Sequence, residues 1–464
     1  MTQLAMTQQS VRSGDAGLAV LRAVEVELDR RWPESRIEPS LTRIAALVDL
    51  LGSPQRGYPV LHIAGTNGKT SVARMLDALL SRIGLRVGRY TSPHLQWATE
   101  RISLDGAPLS PERYAEAYHD IEPYVALVDA GSPVPMSKFE VLTGMALAAF
   151  ADAPVDAAVV EVGLGGSWDA TNVVDGAVAA ITPVAVDHVN YLGSDITGIA
   201  AEKAGIIKPG SVVVLAQQPP EVARVIAARS VEMAATVAKE GVEFGVLHRD
   251  IAVGGQQLRL QGLGGVYDEV FLPLHGAHQS RNAVLALAAA EAFFGAGASR
   301  SLDIDAVRDA FATVTAPGRL ERVRTAPSVF LDGAHNPHGA RALATALRED
   351  FRFRRLVAVV GVMRDKDARS ILVELEPVVD EVVVTASSSP RAMDVDDLAT
   401  AARKVFDESR LRVERRLSGA IETATASAAE VDPDSEDTSG AGVVITGSVA
   451  TVGEARALFG REPQ

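Results

Sequence analysis

The sequence contains no cysteine, and this absence excludes several kinds of chemistry. A chain without thiols forms no disulfides, holds no metal through thiolates and has no thiol nucleophile. Long apolar segments are also missing, because the most apolar run, 283–298, is broken by Glu291 and is too short to cross a bilayer; we interpret it as a buried helix. The first 17 residues are polar and do not resemble a signal peptide. We therefore expect a soluble, cytoplasmic protein without a membrane partner.

Positive charge is also in the minority. Lys and Arg number 45 against 59 Asp and Glu, which leaves a net charge of -14. A protein that binds the phosphate backbone of nucleic acid needs a basic face, so we expect no nucleic-acid partner. Nucleotides and acidic metabolites are not excluded, because they bind in small pockets built from backbone N–H groups and a single Lys or Arg.

What the sequence does contain is a repeated alternation of short β-branched runs and helical patterns. Its 464 residues exceed what one hydrophobic core usually supports, so at least two domains are expected. Continuous apolar runs that alternate with helices are typical of a parallel sheet covered on both faces. In the first part of the chain the predicted strands are 60–64, 86–90, 157–161, 177–181 and 212–215.

The pattern changes between about 240 and 275. Here the stretches 256–261 and 266–272 alternate polar and apolar residues, which predicts a hairpin or a small antiparallel sheet. The turn-rich segment 313–319 suits a domain junction. After it the alternation resumes, with strands predicted at 328–332, 356–360, 381–385 and 443–446.

These patterns predict an α/β protein of two domains. Residues 1–316 are expected to form a P-loop parallel-sheet ATPase domain with the small antiparallel appendage. Residues 317–464 are expected to form a smaller, Rossmann-like α/β domain. The acidic, Ser-rich stretch 432–440 is interpreted as a mobile loop.

The first candidate site is the segment Gly65-Thr66-Asn67-Gly68-Lys69-Thr70-Ser71. It follows a predicted strand and precedes a helical pattern, which is the context that a phosphate-binding loop requires. Backbone N–H groups would surround the phosphates, Lys69 would reach the β- and γ-phosphate oxygens, and the hydroxyl of Thr70 or Ser71 would help hold Mg²⁺. Ile63 stands where the usual pattern has glycine, so a strand-to-helix turn without a ligand stays the alternative.

Other predicted strands of the first domain also end in polar residues. Glu161 precedes a glycine-rich loop, and a carboxylate at the carboxyl edge of an open α/β sheet points into the ligand crevice. Glu161 is therefore placed to bind Mg²⁺ beside the P-loop, and a buried, paired Glu is the alternative. His188 also follows a strand, although a single His is more often structural than a metal ligand. The stretch 90–95 follows a strand too, and an ordinary turn around Pro93 is its alternative interpretation.

The second half of the chain carries a further group of polar residues. Asp332 ends a strand, and Asn336 with Pro337 has good N-cap and first-turn chemistry for the next helix. His335 would then be aimed at an anion, and a capped helix without a ligand is the alternative. With Asn282 and Arg319 these residues suggest a site between two domains that close over ATP. Such a site suits an activated-carboxylate reaction, from which water must be excluded.

Five motifs in this order resemble those of the folylpolyglutamate synthase / dihydrofolate synthase family, which belongs to the Mur ligase superfamily. The resemblance runs from about Glu38 to the C-terminus. Only 64 residues precede Gly65, so we expect the N-terminal UDP-sugar domain of the cell-wall Mur ligases to be absent. The motifs are GTNGKT at 65–70, TSPHL at 91–95, EVGLGG at 161–166, EKAGIIK at 202–208 and DGAHNP at 332–337.

The resemblance implies a role for each group of residues. Catalytic roles are implied for Lys69, Lys203 and His335. ATP would be bound by the P-loop and, from the far side, by Asn282, Arg319, Asp332 and His335. Two Mg²⁺ ions would be coordinated by Ser92, Glu161, His188 and a carbamylated Lys203. The pterin would contact Lys138, Phe139, Glu140, Trp168, Asp169 and Ala170.

The activity implied is ATP-dependent addition of L-glutamate to dihydropteroate and to folate glutamates through an acyl phosphate. The resemblance also implies a monomer that acts in folate biosynthesis and polyglutamylation. A folylpolyglutamate synthase alone, or a related Mur-type ligase with another carboxylate substrate, is the alternative within this class. A P-loop nucleotide switch, which would hydrolyse ATP without responding to glutamate, is the alternative from another class.

Overall fold

The computed structural model describes residues 2–33, 38–295, 301–430 and 440–464, and describes side chains from residue 16 onward. The strands are β1 (Val60–Ala64), β2 (Val87–Tyr90), β3 (Ile102–Leu104), β4 (Ala107–Pro108), β5 (Ala157–Glu161), β6 (Gly176–Ile181), β7 (Val212–Leu215), β8 (Thr236–Lys239), β9 (Gly245–Ala252), β10 (Gly255–Gln261), β11 (Val266–Leu272), β12 (Glu321–Thr325), β13 (Ser328–Leu331), β14 (Arg355–Val360), β15 (Glu381–Val384), β16 (Leu411–Val413) and β17 (Ala441–Thr446). The α-helices are α1 (Thr2–Asp29), α2 (Thr42–Leu50), α3 (Lys69–Arg82), α4 (Pro111–Gly131), α5 (Lys138–Asp152), α6 (Val189–Leu192), α7 (Ile196–Ala204), α8 (Pro220–Glu232), α9 (Ala277–Phe293), α10 (Ile304–Ala312), α11 (Pro337–Asp350), α12 (Ala368–Leu375), α13 (Val395–Ala402), α14 (Leu417–Ala429) and α15 (Val449–Leu458).

The first sheet has eight strands in the order β4-β3-β2-β5-β1-β6-β7-β8. Six neighbouring strands, β2, β5, β1, β6, β7 and β8, are parallel. The short strands β3 and β4 pair antiparallel at one edge. The strand order reverses beside β1, so the carboxyl ends of β5, β1 and β6 border a crevice there. The loops after Ala64, Glu161 and Ile181 consequently meet at one edge of the sheet.

Helices cover both faces of this sheet, as its continuous apolar strands predict. One face packs against α3, α9 and α10, with Met75 and Leu285 fully buried between them. The opposite face packs against α1, α2, α4 and α5 around Leu28 and Tyr114. The predicted buried helix 283–298 corresponds to α9, which is buried from 282 to 292; residues 296–298 lie outside the described residues.

The antiparallel appendage predicted between 240 and 275 is a sheet of three strands in the order β11-β10-β9. The hairpin of β10 and β11 was expected from the sequence. The additional strand β9 was not, because its side chains are half-exposed or exposed and show no buried alternation. The inner side chains of the hairpin, among them Leu258 and Tyr267, join the core that surrounds α9.

The second sheet has six strands in the order β12-β13-β17-β14-β15-β16. All are parallel except β12, which pairs antiparallel with β13 at the edge. Helices α11 to α13 cover one face and α14 with α15 the other. The segments that follow β13, β14, β15 and β17 therefore lie at one carboxyl edge. The predicted boundary between 316 and 317 falls in the loop between α10 and β12.

Two sequence expectations concern segments outside these sheets. Among the described helices, none is long and apolar enough to cross a membrane. The mobile loop expected at 432–440 lies, except for Gly440, outside the described residues. That expectation therefore stays a prediction.

Candidate functional site

The P-loop lies between β1 and α3, as predicted. β1 ends at Ala64 and α3 begins at Lys69. Gly68 has a φ of 93°, and a Cβ at this position would lie 2.6 Å from Oδ1 of Asn282, so only glycine lets Asn282 approach the loop. The hydroxyl of Thr66 donates to the carbonyl oxygen of Ala185 at 2.9 Å. This bond ties the P-loop to the segment that follows β6.

Two lysine side chains converge on the backbone of this loop. Lys69 Nζ donates to the carbonyl oxygens of Gly65 and Thr66, each at 3.3 Å, and Lys203 Nζ donates to that of Gly65 at 2.8 Å. Lys203 comes from α7 and is buried. Burial and, second, the charge of Lys69 lower the pKa of Lys203 to about 7. At neutral pH a substantial part of this amine is therefore the neutral base.

Glu161 ends β5 and faces the first turn of α3. Its Oε1 accepts a hydrogen bond from Thr70 Oγ1 at 3.0 Å, whereas its Oε2 is buried without a hydrogen-bond partner among the described residues. Burial raises the pKa of Glu161, while the nearby Lys69 and Thr70 act in the opposite direction. A buried carboxylate oxygen without a donor is unfavourable, and a bound cation would satisfy it.

Ser92 follows β2 in the segment 91–97, which the side chain of Glu100 holds in place. The carboxylate of Glu100 accepts hydrogen bonds from the three backbone N–H groups of residues 95–97, at 2.8, 2.9 and 2.9 Å. The backbone N–H of Ser92 in turn donates toward Glu161 and helps stabilise its ionised form. The segment therefore presents Ser92 beside Glu161.

Asp187, next to His188, contacts the second domain. Its carboxylate accepts hydrogen bonds from Lys366 Nζ at 2.5 Å and Asn336 Nδ2 at 2.8 Å, and His335 Nε2 lies 3.6 Å away. Burial alone would raise the pKa of Asp187, but the contacts with His335, His188 and Lys366 hold it well below the usual range. The carboxylate is therefore ionised at neutral pH and joins the two domains.

The His188 side chain is neutral at physiological pH. Burial lowers its pKa to about 4, although the carboxylate of Asp187, 3.8 Å from its Nε2, favours the protonated form. A neutral imidazole has a lone pair available for a cation. The residue has a left-handed backbone, with a φ of 53°, at the start of α6.

Asp332 directly follows the strand β13 and organises the turn after it. Its carboxylate accepts hydrogen bonds from the backbone N–H groups of Leu320 and Ala334, each at 2.9 Å. Burial raises the pKa of Asp332, and Arg319 opposes that shift. His335 Nδ1 lies 2.9 Å from the carbonyl oxygen of Gly333, which orients its ring.

Asn336 connects the second domain to the P-loop. Its side chain accepts a hydrogen bond from the backbone N–H of Gly339 at 2.8 Å and so caps α11, as its sequence context predicts. The same amide exchanges two hydrogen bonds of 3.1 Å with the amide of Asn67. The P-loop is thus in direct contact with the helix that follows Asp332.

One cavity of roughly 1170 Å³ lies between the two domains. Ligand pockets commonly measure about 300–1,000 Å³, so this cavity has room for more than one ligand. Every residue predicted to bind ATP or metal lines it: Gly65, Thr66, Asn67, Gly68, Lys69, Thr70, Ser71, Ser92, Glu161, His188, Lys203, Asn282, Arg319, Asp332 and His335.

The six residues predicted to contact a pterin do not line this cavity. Lys138 begins α5, and its ammonium group is paired with Glu25 at 2.7 Å and Asp29 at 2.8 Å, both on α1. Glu140 pairs with Arg43 at 3.0 Å. These two charged groups therefore connect α5 to α1 and α2.

The other four predicted pterin residues lie around the glycine-rich loop after β5. Phe139 packs against Gly163, and Trp168 packs against Gly165. The buried carboxylate of Asp169 accepts a hydrogen bond from the backbone N–H of Leu164 at 2.8 Å and shapes the loop, and Ala170 is buried. None of these contacts tests pterin binding, which stays a prediction.

The donor set around the P-loop fits a magnesium–nucleotide complex. Within the described residues no group of three or more His, Asp or Glu side chains is placed to hold a metal ion by itself. Mg²⁺, however, usually binds through one or two carboxylates together with phosphate oxygens and water. The unpartnered Oε2 of Glu161, next to the hydroxyl of Thr70, meets that requirement.

Lys366 and Asp187 line the cavity but were not assigned from the sequence. Lys366 follows β14 at the same carboxyl edge as Asp332, so the rule that located Asp332 also covers Lys366. The pairing of Lys366 with Asp187 joins positions that are 179 residues apart in the chain. No local pattern indicates a contact of this kind.

Two family models match the chain. The model described as Mur ligase middle domain matches residues 136–290, and the one described as Mur ligase, glutamate ligase domain matches residues 318–449. The interval between the two matches contains α10 and the first part of the segment that joins α10 to β12. The first match covers strands β5 to β11 and leaves out β1 to β4, and the second covers strands β12 to β17.

Similar proteins match over nearly the whole chain. The dihydrofolate synthase/folylpolyglutamate synthase of Mycobacterium tuberculosis is 61% identical over 464 residues, covering 96% of this chain and 95% of that protein. A structure of Mycobacterium tuberculosis folylpolyglutamate synthase complexed with ADP is 59% identical, has a TM-score of 0.92 and covers 97% of this chain and 100% of that chain. An Escherichia coli structure in complex with DHPP and ADP is 29% identical, has a TM-score of 0.81 and covers 95% and 97% of the two chains.

Proposed function

The chain belongs to the dihydrofolate synthase/folylpolyglutamate synthase family, and on this premise we propose that it adds L-glutamate both to dihydropteroate and to the terminal glutamate of folates. It is an ATP-dependent acid–amino-acid ligase that forms ADP. The relative at 61% identity bears the names of both activities, which supports use of both acceptors. A folylpolyglutamate synthase alone is the second candidate, because the similar ADP complex is named for that activity only.

The observation that carries the assignment is the composition of the cavity between the domains. Its first wall is the P-loop with Glu161 and His188, and its second wall holds Asp332 and His335. A nucleotide switch would have no need of the second wall. A ligase does need it, because a second substrate must reach an activated carboxylate while water is kept away.

The first chemical step proposed is phosphoryl transfer to the acceptor. A carboxylate oxygen of the acceptor attacks the γ-phosphorus of ATP, the bond from that phosphorus to the bridging oxygen breaks, and ADP leaves with the electron pair. Lys69 would neutralise charge on the β- and γ-phosphate oxygens. To do so its Nζ must leave the carbonyl oxygens of Gly65 and Thr66, which it contacts at 3.3 Å. These weak, long contacts are easily exchanged for phosphate.

The second step forms the amide. The amine nitrogen of L-glutamate attacks the carbonyl carbon of the acyl phosphate, loses a proton, and inorganic phosphate departs. We propose that His335 takes part in this step from the second-domain side of the cavity, because it lines the cavity next to the ionised Asp187. Positioning and electrostatics account for the catalysis, so no nucleophilic side chain is required.

We propose that Ser92, Glu161, His188 and a carbamylated Lys203 hold two Mg²⁺ ions. Bound Mg²⁺ would neutralise and orient the phosphate oxygens. Glu161 is the strongest assignment, because its Oε2 is buried without a partner among the described residues. Support for the carbamate is that burial lowers the pKa of Lys203 to about 7, since only a neutral amine reacts with CO₂.

The acceptor is proposed to reach the cavity from the side of the glycine-rich loop after β5. Phe139 and Trp168 offer aromatic surfaces there, against Gly163 and Gly165. We further propose that the protein acts as a cytoplasmic monomer, without a nucleic-acid or membrane partner. We also propose that the domain boundary lies between residues 316 and 317, because strands β1 to β11 precede this point and the six strands of the second α/β sheet, β12 to β17, follow it.

An acceptor panel tests the choice of substrate. ADP release is measured with ATP, Mg²⁺ and L-glutamate in parallel reactions that contain dihydropteroate, tetrahydrofolate or a UDP-muramoyl acceptor. The proposal predicts release with the first two and none above background with the third. Release with tetrahydrofolate alone would favour the second candidate, and release with the UDP-muramoyl acceptor would contradict both.

A further inference from the structure

The side chain of Arg456 lies outside the cavity, buried where the two domains meet. It belongs to α15 and is 2% exposed. Its Nε donates to both carboxylate oxygens of Glu321, at 3.1 and 2.8 Å, and its Nη1 donates to Oε1 of Gln96 and to the carbonyl oxygen of Glu462. One guanidinium group thus joins the first domain, through Gln96, to two parts of the second.

Gln96 is part of the same short segment as Ser92. The carboxylate of Glu100 binds the backbone N–H groups of residues 95–97, so the segment is held as one unit. Residues 92–95 of this segment line the cavity beside the P-loop. A displacement of Gln96 would therefore be transmitted to Ser92 over only four residues.

Glu321 connects the same guanidinium group to a second part of the site. Its Oε2 accepts a hydrogen bond from the backbone N–H of Gly318 at 2.8 Å. The carbonyl oxygen of Gly318 accepts from Arg319 Nη1 at 3.2 Å and from the N–H of Gly333 at 2.8 Å. Arg319 lines the cavity. Arg456 therefore supports both the Ser92 segment and the turn that carries Arg319.

The helix that carries Arg456 also touches the Ser92 segment directly. A Cβ on Gly453 would lie 1.9 Å from the carbonyl oxygen of Leu95, so a side chain at this position cannot be accommodated without moving α15 or the segment. The residues before and at the start of α15, 448–450, line the cavity. The helix thus runs from the cavity to the contact between Arg456 and Gln96.

We propose that Arg456 is a positioning residue of the ligase, which sets the Ser92 segment of the first domain against the Arg319 turn of the second through Gln96 and Glu321. The inference rests on the proposed function for its effect on the rate. Its structural part does not depend on that function, because the contacts among Arg456, Gln96 and Glu321 are present whatever the acceptor is. A purely structural role would affect stability and leave the rate of the folded enzyme unchanged.

The test uses variants that remove different contacts among Arg456, Gln96 and Glu321. Gln96→Ala removes the first-domain acceptor of Arg456, together with the hydrogen bond of 2.9 Å from Gln96 Nε2 to the carbonyl oxygen of Arg461, and leaves Arg456 paired with Glu321. Arg456→Gln removes the contacts of the guanidinium group with both Gln96 and Glu321. Gln96→Glu keeps an acceptor for the guanidinium but loses the Nε2 donor to the carbonyl oxygen of Arg461, so recovery in this variant assigns the effect to the contact with Arg456. Arg355→Gln is the matched control, because Arg355 pairs with Glu381 at 2.9 Å in the same domain but begins β14, at the amino end of the parallel strands.

The kcat and the KM for ATP, L-glutamate and tetrahydrofolate are measured at a temperature at which circular dichroism shows each variant to be folded. We expect Gln96→Ala to lower kcat roughly 10- to 100-fold, the scale on which a displacement of about 1 Å acts, with little change in the KM for ATP. Gln96→Glu should recover most of this loss, and Arg355→Gln should keep the parent kcat. A parent kcat in folded Gln96→Ala, or an equal loss in Arg355→Gln, would overturn the proposal.

Amide hydrogen exchange separates this inference from the proposed function. Segment 91–97 is compared in the parent protein, Arg456→Gln and Arg355→Gln, with and without ADP. Faster exchange of segment 91–97 in Arg456→Gln, but not in Arg355→Gln, supports the positioning role of Arg456 even if ligation is absent. Exchange equal to that of the parent protein refutes this role. A parent protein that releases no ADP in response to glutamate would instead refute the proposed function.

Discussion

Lys69 and Lys203 donate to the same acceptor, the carbonyl oxygen of Gly65, at 3.3 and 2.8 Å. Two ammonium groups on one oxygen repel each other, and the buried member yields: burial and then the charge of Lys69 lower the pKa of Lys203 to about 7. The P-loop thus contacts one buried amine that can lose its proton, Lys203, and the half-buried Lys69, which lines the cavity where phosphate would bind. The first two predictions concern these lysines.

Substitution Lys69→Ala should slow ligation severely while leaving the fold intact. The loss of one preorganised cation at the transferring phosphate is expected to lower kcat by about 100- to 1,000-fold. Glutamate-dependent ADP release is the measurement, with Lys404→Ala as the control, because Lys404 is exposed in the second domain. A Lys69→Ala enzyme that releases ADP at the parent rate would rule out the P-loop assignment.

Lys203 is predicted to carry a carbamate when the enzyme is active. Its lowered pKa of about 7 means that the neutral amine dominates above that pH and is lost below it, so reactivation at a fixed concentration of dissolved CO₂ should be faster at pH 8 than at pH 6. Carbon-13 NMR of protein equilibrated with labelled bicarbonate should show one carbamate signal that is absent from Lys203→Ala. Full activity in CO₂-free buffer without such a signal would contradict the assignment.

Glu161→Gln should separate activity from stability. The substitution removes a buried carboxylate whose Oε2 has no partner among the described residues, so without Mg²⁺ the variant should melt no lower than the parent protein. Ligation should nevertheless fall by about 100-fold or more, because metal neutralisation of phosphate is worth several kcal/mol. Thermal melting and ADP release are measured beside Glu422→Gln, an exposed control in α14. Loss of stability together with retained activity would point to a structural Glu161.

The ion pair of Asp187 with Lys366 should stabilise the contact between the domains. Both side chains are buried, so Asp187→Asn should lower the free energy of unfolding by roughly 3–5 kcal/mol at pH 7, as when one partner of a buried pair is removed. The exposed pair Arg82 with Asp309 is the control, and Asp309→Asn should cost less than about 1 kcal/mol. Urea unfolding measures both values.

The pH dependence of that stabilisation has a definite sign. The folded-state pKa of Asp187 lies below its ordinary value, so its contribution is present above the ordinary carboxyl pKa and is lost as pH falls toward the folded value. The difference between parent and Asp187→Asn should therefore shrink below about pH 4. A difference that is the same at pH 3 and pH 7 would show that the charge of Asp187 is not the cause.

Much of this site could be predicted because it follows from local rules. A strand that ends at Ala64, followed by glycines and Lys69, specifies a phosphate loop, and the carboxyl-edge rule locates both Glu161 and Asp332. Ile63, in place of the usual glycine, is accommodated as the fourth residue of β1, where it is fully buried.

The parts that escaped prediction are contacts between distant segments. Strand β9 has no buried alternation, so pairing with β10 rather than its own pattern defines it. The contact between Arg456 and Gln96 joins positions that are 360 residues apart in the chain, and only the packing of two domains brings these side chains together. Motif order indicated that two domains share a site, but the residues that hold the domains together have no motif.

The central claim is that ATP phosphorylates the acceptor carboxylate and so activates it. Transfer of an oxygen isotope from that carboxylate to phosphate tests this claim most directly. Tetrahydrofolate whose terminal glutamate carboxylates carry oxygen-18 is incubated with the enzyme, ATP, Mg²⁺ and L-glutamate, and the inorganic phosphate is analysed by mass spectrometry. An acyl phosphate predicts that each phosphate released acquires one labelled oxygen and that the folate gains one glutamate. Unlabelled phosphate, released whether or not glutamate is present, would contradict the account and identify simple ATP hydrolysis.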